Sequence, residues 1–198
     1  MVSHGSLAGY TEHAAAYLRG DGGVPLFLSV AFDISVPALY PPLVTGRQVT
    51  MLPDDLDLAA LGRALADTAP HAFIDLTPSH LELLCHQLGP ADAARLTGLF
   101  VAGGQALPYA HVRSWWELDT STPIVNEYGP TEATVGCLRH PVDDPRIRPT
   151  ASSRWGRRSP GSSSTSWTRN CSRSLRGSRA NCASPGRTSP AATWAARD

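Results

Sequence analysis

Between Asn126 and Gly136 the chain reads NEYGPTEATVG. This short run gathers an amide (Asn126), an aromatic ring (Tyr128), a Gly129-Pro130 turn, a hydroxyl (Thr131) and a carboxylate (Glu132). A carboxylate and a hydroxyl beside a turn can hold a hard cation and phosphate oxygens, and an aromatic face can stack on a base. An ordinary polar turn would use the same residues. Asp33, within AFDISVPALYPPLVTG, is a second candidate. A buried carboxylate needs a cation partner, but an aspartate just before Ile34 also suits a helix N-cap. Gly103 and Gly104, in LFVAGGQALP, let a backbone approach a ligand closely, or simply turn the chain at a strand end. His4, His71, His80 and His86 have no acid or hydroxyl partner at a recognisable spacing and read as structural or surface residues.

These residues need a scaffold, and residues 5–140 alternate between helical and strand-like patterns. SLAGYTEHAAAYLR predicts a helix, with Leu7, Tyr10, Ala14, Tyr17 and Leu18 near one face. VPLFLSV, RQVTMLP, AFIDLTP, GLFVAGG and TPIVNEYG predict five strands. VPALYPPLVTG starts a helix that Pro41 and Pro42 must kink or shorten. DLAALGRALADTAP is an amphipathic helix stopped at Pro70, and ALPYAHVRSWWEL is a helix placing Trp115-Trp116 partly in the core. SHLELLCHQLG predicts a helix with Ser79 as N-cap and Gly89 as C-cap. Such alternation predicts an α/β fold, a mostly parallel sheet flanked by helices, with ligand groups in loops at the strand C-terminal ends.

Charge divides the chain. Residues 1–148 hold sixteen acids and eight arginines, whereas residues 149–198 hold one acid and nine arginines, and lysine is absent. No apolar run reaches the roughly 18 residues of a membrane span, and the N-terminus has no secretory pattern. The four cysteines (Cys85, Cys137, Cys171, Cys182) show no paired spacing, as expected of isolated thiols in a reducing cytosol. A cytoplasmic protein with no membrane partner is the expectation. Beyond 148 the chain is rich in Ser, Arg, Pro, Gly and Ala, a composition that predicts disorder. Such a basic stretch also suits a nucleic-acid tail.

The string NxYGPTE resembles the nucleotide-site motif of nonribosomal peptide synthetase adenylation domains, in the adenylate-forming superfamily. SHGSL at 3–7 resembles the stretch after the family's phosphate loop, AFDISVPALYPPLVTG its FDxSV segment, and LFVAGGQALP its strand leading to a GGE-type turn. The order is the family's, and the resemblance covers residues 1–145. It implies a partial adenylation core over 1–148. It also implies roles. Asp33 would hold the substrate α-ammonium group. Tyr128 would flank adenine, Asn126 would bond its edge, and Gly104 and Gly129 would border the nucleotide. Thr131 would touch phosphate and Glu132 would bind Mg²⁺. The side-chain pocket would be formed by Asp33, Ile34, Pro37, Asp75, Val101, Gly103, Glu127, Val135 and Gly136. Asp75 and Glu127 make that pocket acidic and point to a substrate with a basic or amide side chain, unless one of the two faces solvent. Gln105 stands where the family usually has Glu and receives no role.

The resemblance also frames both ends. The family's phosphate loop would precede SHGSL, where this chain begins with Met1-Val2, and its ribose-binding aspartate, catalytic lysine and C-terminal lid are not recognisable here. Residues 164–197, back-translated and read two nucleotides later, can spell GELCIAGPDVARGYL, which resembles the family's next conserved segment. Residues from 151 onward are therefore read as a frameshifted translation, and a nucleic-acid partner is not expected. The implied function is a fragment of an amino-acid adenylation domain using ATP and Mg²⁺. Its acyl product would pass to phosphopantetheine on a peptidyl carrier domain. The isolated chain is expected to be inactive. Two alternatives stand beside it: a fragment of an acyl- or aryl-CoA ligase, and a non-enzymatic nucleic-acid-binding protein acting through the basic tail.

Overall fold

A computed structural model describes residues 1–20 and 22–142. The expectations about the tail (149–198), its reading frame, Cys171 and Cys182 lie outside the described residues.

Four strands form the principal sheet: β3 (Ile74–Leu76), β4 (Phe100–Ala102), β5 (Ile124–Tyr128) and β6 (Leu138–Val142), in that spatial order. The first three run parallel, and β6 closes the edge antiparallel to β5. A parallel pair, β1 (Val24–Leu26) with β2 (Val49–Met51), lies beside them, joined through single bridges of His71 to Gly23 and Thr97. The parallel strands are short and buried throughout at β1, β3 and β4, as expected of a sheet covered on both faces.

Alternation along the strands divides the core in two. Ile74, Leu76, Phe100, Ala102 and Ile124 face α3 (Leu61–Asp67), α4 (Pro78–Gln87), α5 (Pro90–Leu96) and α6 (Tyr109–Leu118). Trp115 of α6 is fully buried there and meets Phe100 edge to face, ring centroids 4.6 Å apart. Val101 and Val125 face the other way, toward α1 (His4–Ala14), α2 (Val36–Val44) and the short turn Ala15–Tyr17, with Tyr10, Ala14, Tyr17, Val24 and Ala38. Each fully buried leucine contributes about 1.5–3 kcal/mol relative to exposure.

Several boundaries differ from expectation. Thr77, not Ser79, caps α4: its side chain accepts from the His80 amide, while the His80 ring accepts from the Thr77 amide. Thr77 has the extended backbone a cap requires, and Pro78 at the first helical position has no N–H to satisfy. Gly89 does not end α4, whose C-cap is Leu88. It opens α5, a helix the sequence pattern did not reveal. Pro41 and Pro42 lie inside α2, which continues through them to Val44. Both rings are buried, and the helix end is held by Thr45, whose amide and hydroxyl donate to the Pro41 carbonyl. The strand β6 was also missed, because LRHPV contains polar residues and a proline; burial alternates weakly on this edge strand, where Pro is tolerated.

Candidate functional site

The segment Asn126–Gly136 leaves the C-terminal end of β5 and doubles back into β6. Thr131–Ala133 forms a 3-10 turn, closed by the Ala133 and Thr134 amides donating to the Pro130 and Thr131 carbonyls (2.8 and 3.0 Å). The reversal requires Gly129: a Cβ there would run into the Val135 carbonyl and the Gly136 backbone. Thr134 and Val135 then take φ of 68° and 64°. Left-handed backbone is unfavourable for β-branched residues, and such strain persists only where the surroundings enforce it. Cys137 restores the ladder, its amide donating to the Tyr128 carbonyl at 2.9 Å.

The loop displays its polar groups outward. Tyr128 is 57% exposed, and Thr131 and Glu132 are exposed on the 3-10 turn. Asn126 is half-buried in β5, on the opposite sheet face from Glu127. Gly104, at φ 76°, turns the chain at the end of β4 beside them. A Cβ there would sit 3.1 Å from the Ile34 Cδ1. Among the described residues no group of three His, Cys, Asp or Glu side chains could hold a metal alone. Glu132 suits Mg²⁺ only as one carboxylate completed by phosphate oxygens and water, which is how this small hard cation is usually held. An open ring, hydroxyl and carboxylate on one loop therefore fit a magnesium nucleotide.

The predicted side-chain pocket falls largely on one sheet face. Asp75 of β3 pairs in register with Val101 of β4, which pairs with Val125 of β5, and Glu127 lies two residues further along β5. Asp75, Val101 and Glu127 thus point to the side of α1 and α2. Gly103 follows β4, its amide donating to the Leu76 carbonyl at 3.0 Å. The turn Asp33–Ser35 and α2 both pack against β3, and Ile34 reaches Gly103 and Gly104. Pro37 is buried in α2, Val135 packs against the same core, and Gly136 lies against the Glu127 side chain. Asp33 does not cap a helix through its side chain; Phe32 is the N-cap residue of that turn. The Asp33 Oδ2 atom is buried with no hydrogen-bond partner among the described residues.

Both pocket acids are buried, so neither faces solvent: Asp75 is 2% exposed and Glu127 8%. Their surroundings differ. Glu127 accepts hydrogen bonds from the hydroxyls of Tyr10 (2.9 Å) and Tyr17. Arg139 is its cross-strand neighbour and lies over the Tyr17 ring, 5.1 Å from the centroid. Burial pushes the Glu127 pKa up, while the two tyrosines and Arg139 oppose the shift. Asp75 is raised well above the carboxylate range by burial and then by the charge of Glu127. Burial, with Glu127 second, also raises both tyrosines.

Sequence reasoning missed Tyr10, Tyr17 and Arg139 as parts of this site. The tyrosines had a signal, since a spacing of seven places both on one helical face. Arg139 had none, because its partner depends on the register of the unrecognised β6. The histidines are structural where placed within the fold: buried His71 bonds the Leu65 carbonyl at 2.9 Å and His80 completes the α4 cap.

Comparison with known proteins matches residues 1–163 to the model of the family described as AMP-binding enzyme. Tyrocidine synthase 3 of Brevibacillus parabrevis is 31% identical over 146 residues, 72% of this chain and 2% of that protein. Bacitracin synthase 3 of Bacillus licheniformis is likewise 31% identical over 146 residues, 72% of this chain and 2% of that protein. The chain thus spans a small part of the relatives it matches. The fold is shared with the Vibrio cholerae adenylation domain AlmE, crystallised with glycyl-adenosine-5'-phosphate. The TM-score is 0.61 at 23% identity, over 71% of this chain and 27% of that one.

Proposed function

The chain belongs to the AMP-binding enzyme family, and on that premise we propose that it forms part of an amino-acid-activating site of a nonribosomal peptide synthetase. The reaction joins an amino-acid carboxylate to the α-phosphorus of ATP, giving an aminoacyl-adenylate and pyrophosphate. The observation that carries this reading is the buried, unpartnered Oδ2 of Asp33. An isolated buried carboxylate oxygen is costly, and a substrate α-ammonium group would supply the missing charge-assisted hydrogen bond. A carboxylic acid without an amino group could not.

Around that anchor the roles follow position. Tyr128, exposed at the strand end, flanks the adenine, and Asn126 bonds its edge. Gly104 and Gly129 border the nucleotide with their backbone, and Thr131 bonds phosphate. Glu132 would hold Mg²⁺, which when bound neutralises phosphate charge. The residues of the α1/α2 side of the sheet contact the amino-acid side chain, and two buried acids there favour a basic or amide group. The protein contributes by orientation and charge placement rather than by a covalent intermediate. The acyl group would then pass to phosphopantetheine on a carrier domain. Residues 1–148 are the partial core in this reading, and 149–198 a frameshifted tail.

Binding of a non-hydrolysable aminoacyl-adenylate mimic by the full 198-residue chain tests the proposal. Binding is expected, with loss on Asp33→Ala, and amino-acid-dependent ATP–pyrophosphate exchange is expected to be absent. Unchanged binding by Asp33→Ala points instead to a carboxylic-acid ligase, and measurable exchange refutes the inactivity of the isolated chain.

A further inference from the structure

Two buried acids share the α1/α2 face of the sheet, yet only one is satisfied by the protein. Glu127 has hydroxyl donors on both oxygens, from Tyr10 and Tyr17, and Arg139 opposite it across the β5–β6 ladder. Gly136 closes against its side chain, so Glu127 cannot swing toward a ligand without clashing or breaking those bonds. Asp75 is more deeply buried, and its Oδ2 has no hydrogen-bond partner among the described residues. Among the described residues, the backbone of Leu76 supports its carboxyl. Arg139 faces Glu127, and among the described residues no cation forms an ion pair with Asp75. The acid left without a side-chain partner on this face is Asp75.

We infer that Asp75, and not Glu127, reads the substrate side chain, and that it selects an α-amino acid carrying a side-chain cation, an ammonium or a guanidinium. The inference rests on the adenylation reading above. Two buried carboxylate oxygens without partners, on Asp33 and Asp75, match a ligand with two cationic groups, one at its α-carbon and one at its tip. Burial raises the Asp75 pKa and so disfavours its charged form, and a cation beside it would favour the carboxylate. Glu127 is then a positioning residue: it ties α1 to β5 and forms the wall beside which the side chain lies.

The test uses the full chain and three 5'-O-(N-aminoacyl)sulfamoyl adenosines that share the adenylate part and differ in side chain: ornithine, glutamine and norleucine. Calorimetry is expected to show the ornithine compound binding roughly 10- to 100-fold more tightly than the other two, the ratio for one buried charge-assisted hydrogen bond. Asp75→Asn should erase that ratio without lowering the thermal midpoint of the free chain, since it removes an unpaired buried acid. Glu127→Gln should weaken all three compounds alike and keep their order. Equal binding of the three, or preference for glutamine or norleucine, overturns the inference and leaves the adenylation reading intact. A cation preference that survives Asp75→Asn, or one that Glu127→Gln abolishes, also overturns it. Binding of none of the three removes the adenylation reading itself. The wild-type comparison needs no variant to fold.

Discussion

Replacing Gly136 with alanine isolates the contact that holds the site loop against the sheet. Gly136 does not have positive φ, so alanine fits its backbone and any cost arises from the added methyl. That methyl would lie 2.5 Å from the Glu127 Cγ and closer still to its carboxyl. Ordinary contact requires roughly 1 Å more. Glu127 cannot yield freely, because its oxygens are bound to Tyr10 and Tyr17. The neighbouring backbone is already strained at Thr134 and Val135. Overpacking of this kind costs about 1–3 kcal/mol, a loss of roughly 5- to 150-fold in the folded-to-unfolded ratio. Urea unfolding of Gly136→Ala, Glu127→Ala and the double variant measures it. In the Glu127→Ala background the obstructing atoms are gone, so the methyl should cost nearly nothing, and the coupling should be about 1–3 kcal/mol. Single costs that add within about 0.5 kcal/mol would falsify the contact as the origin of the effect. Gly5→Ala, inside α1 with no atom nearer than 3.9 Å to its Cβ position, serves as the control and should not destabilise the fold.

Two further outcomes are expected. Burial, and secondarily the charge of Arg139, lowers the His13 pKa from 6.5 to about 4, so folding holds the ring neutral. That contribution is whole above pH 6.5 and is lost as pH falls through about 4, so the unfolding midpoints of wild type and His13→Gln should diverge in slope across this window. An identical pH dependence in both refutes the assignment. Tyr128→Ala should leave stability nearly unchanged, because the ring is 57% exposed. It should weaken binding of an adenosine nucleotide by about 1–3 kcal/mol, the usual contribution of a ring stacked on a base; equal affinity by fluorescence titration would remove Tyr128 from the site.

Local signals in the sequence carried the alternation of strands and helices, and with it the mostly parallel sheet. VPLFLSV, AFIDLTP and GLFVAGG are apolar runs bounded by turn residues, and each contains the strand it predicts. Where two local signals competed, the sequence misplaced the boundary: Ser79 and Thr77 both can cap, and only the extended backbone at Thr77 decides. Pro41 and Pro42 argue locally against a helix, yet burial of both rings in α2 outweighs the two lost backbone bonds.

By itself the sequence determined the chemistry on offer: a ring, hydroxyl and carboxylate in NEYGPTE, an aspartate at position 33, acids at 75 and 127. Those follow from residue type and from order along the chain. What it could not determine is which polar groups the fold itself satisfies. Glu127 and Asp75 are equivalent as letters. Tertiary structure separates them, because α1 and its extension bring Tyr10 and Tyr17 to Glu127, and the antiparallel edge strand brings Arg139 across from it. Contacts so distant in sequence leave no local periodicity to read. They form only when the sheet register and the helix packing above it are set together, and they leave Asp75 buried with an oxygen that no described residue bonds.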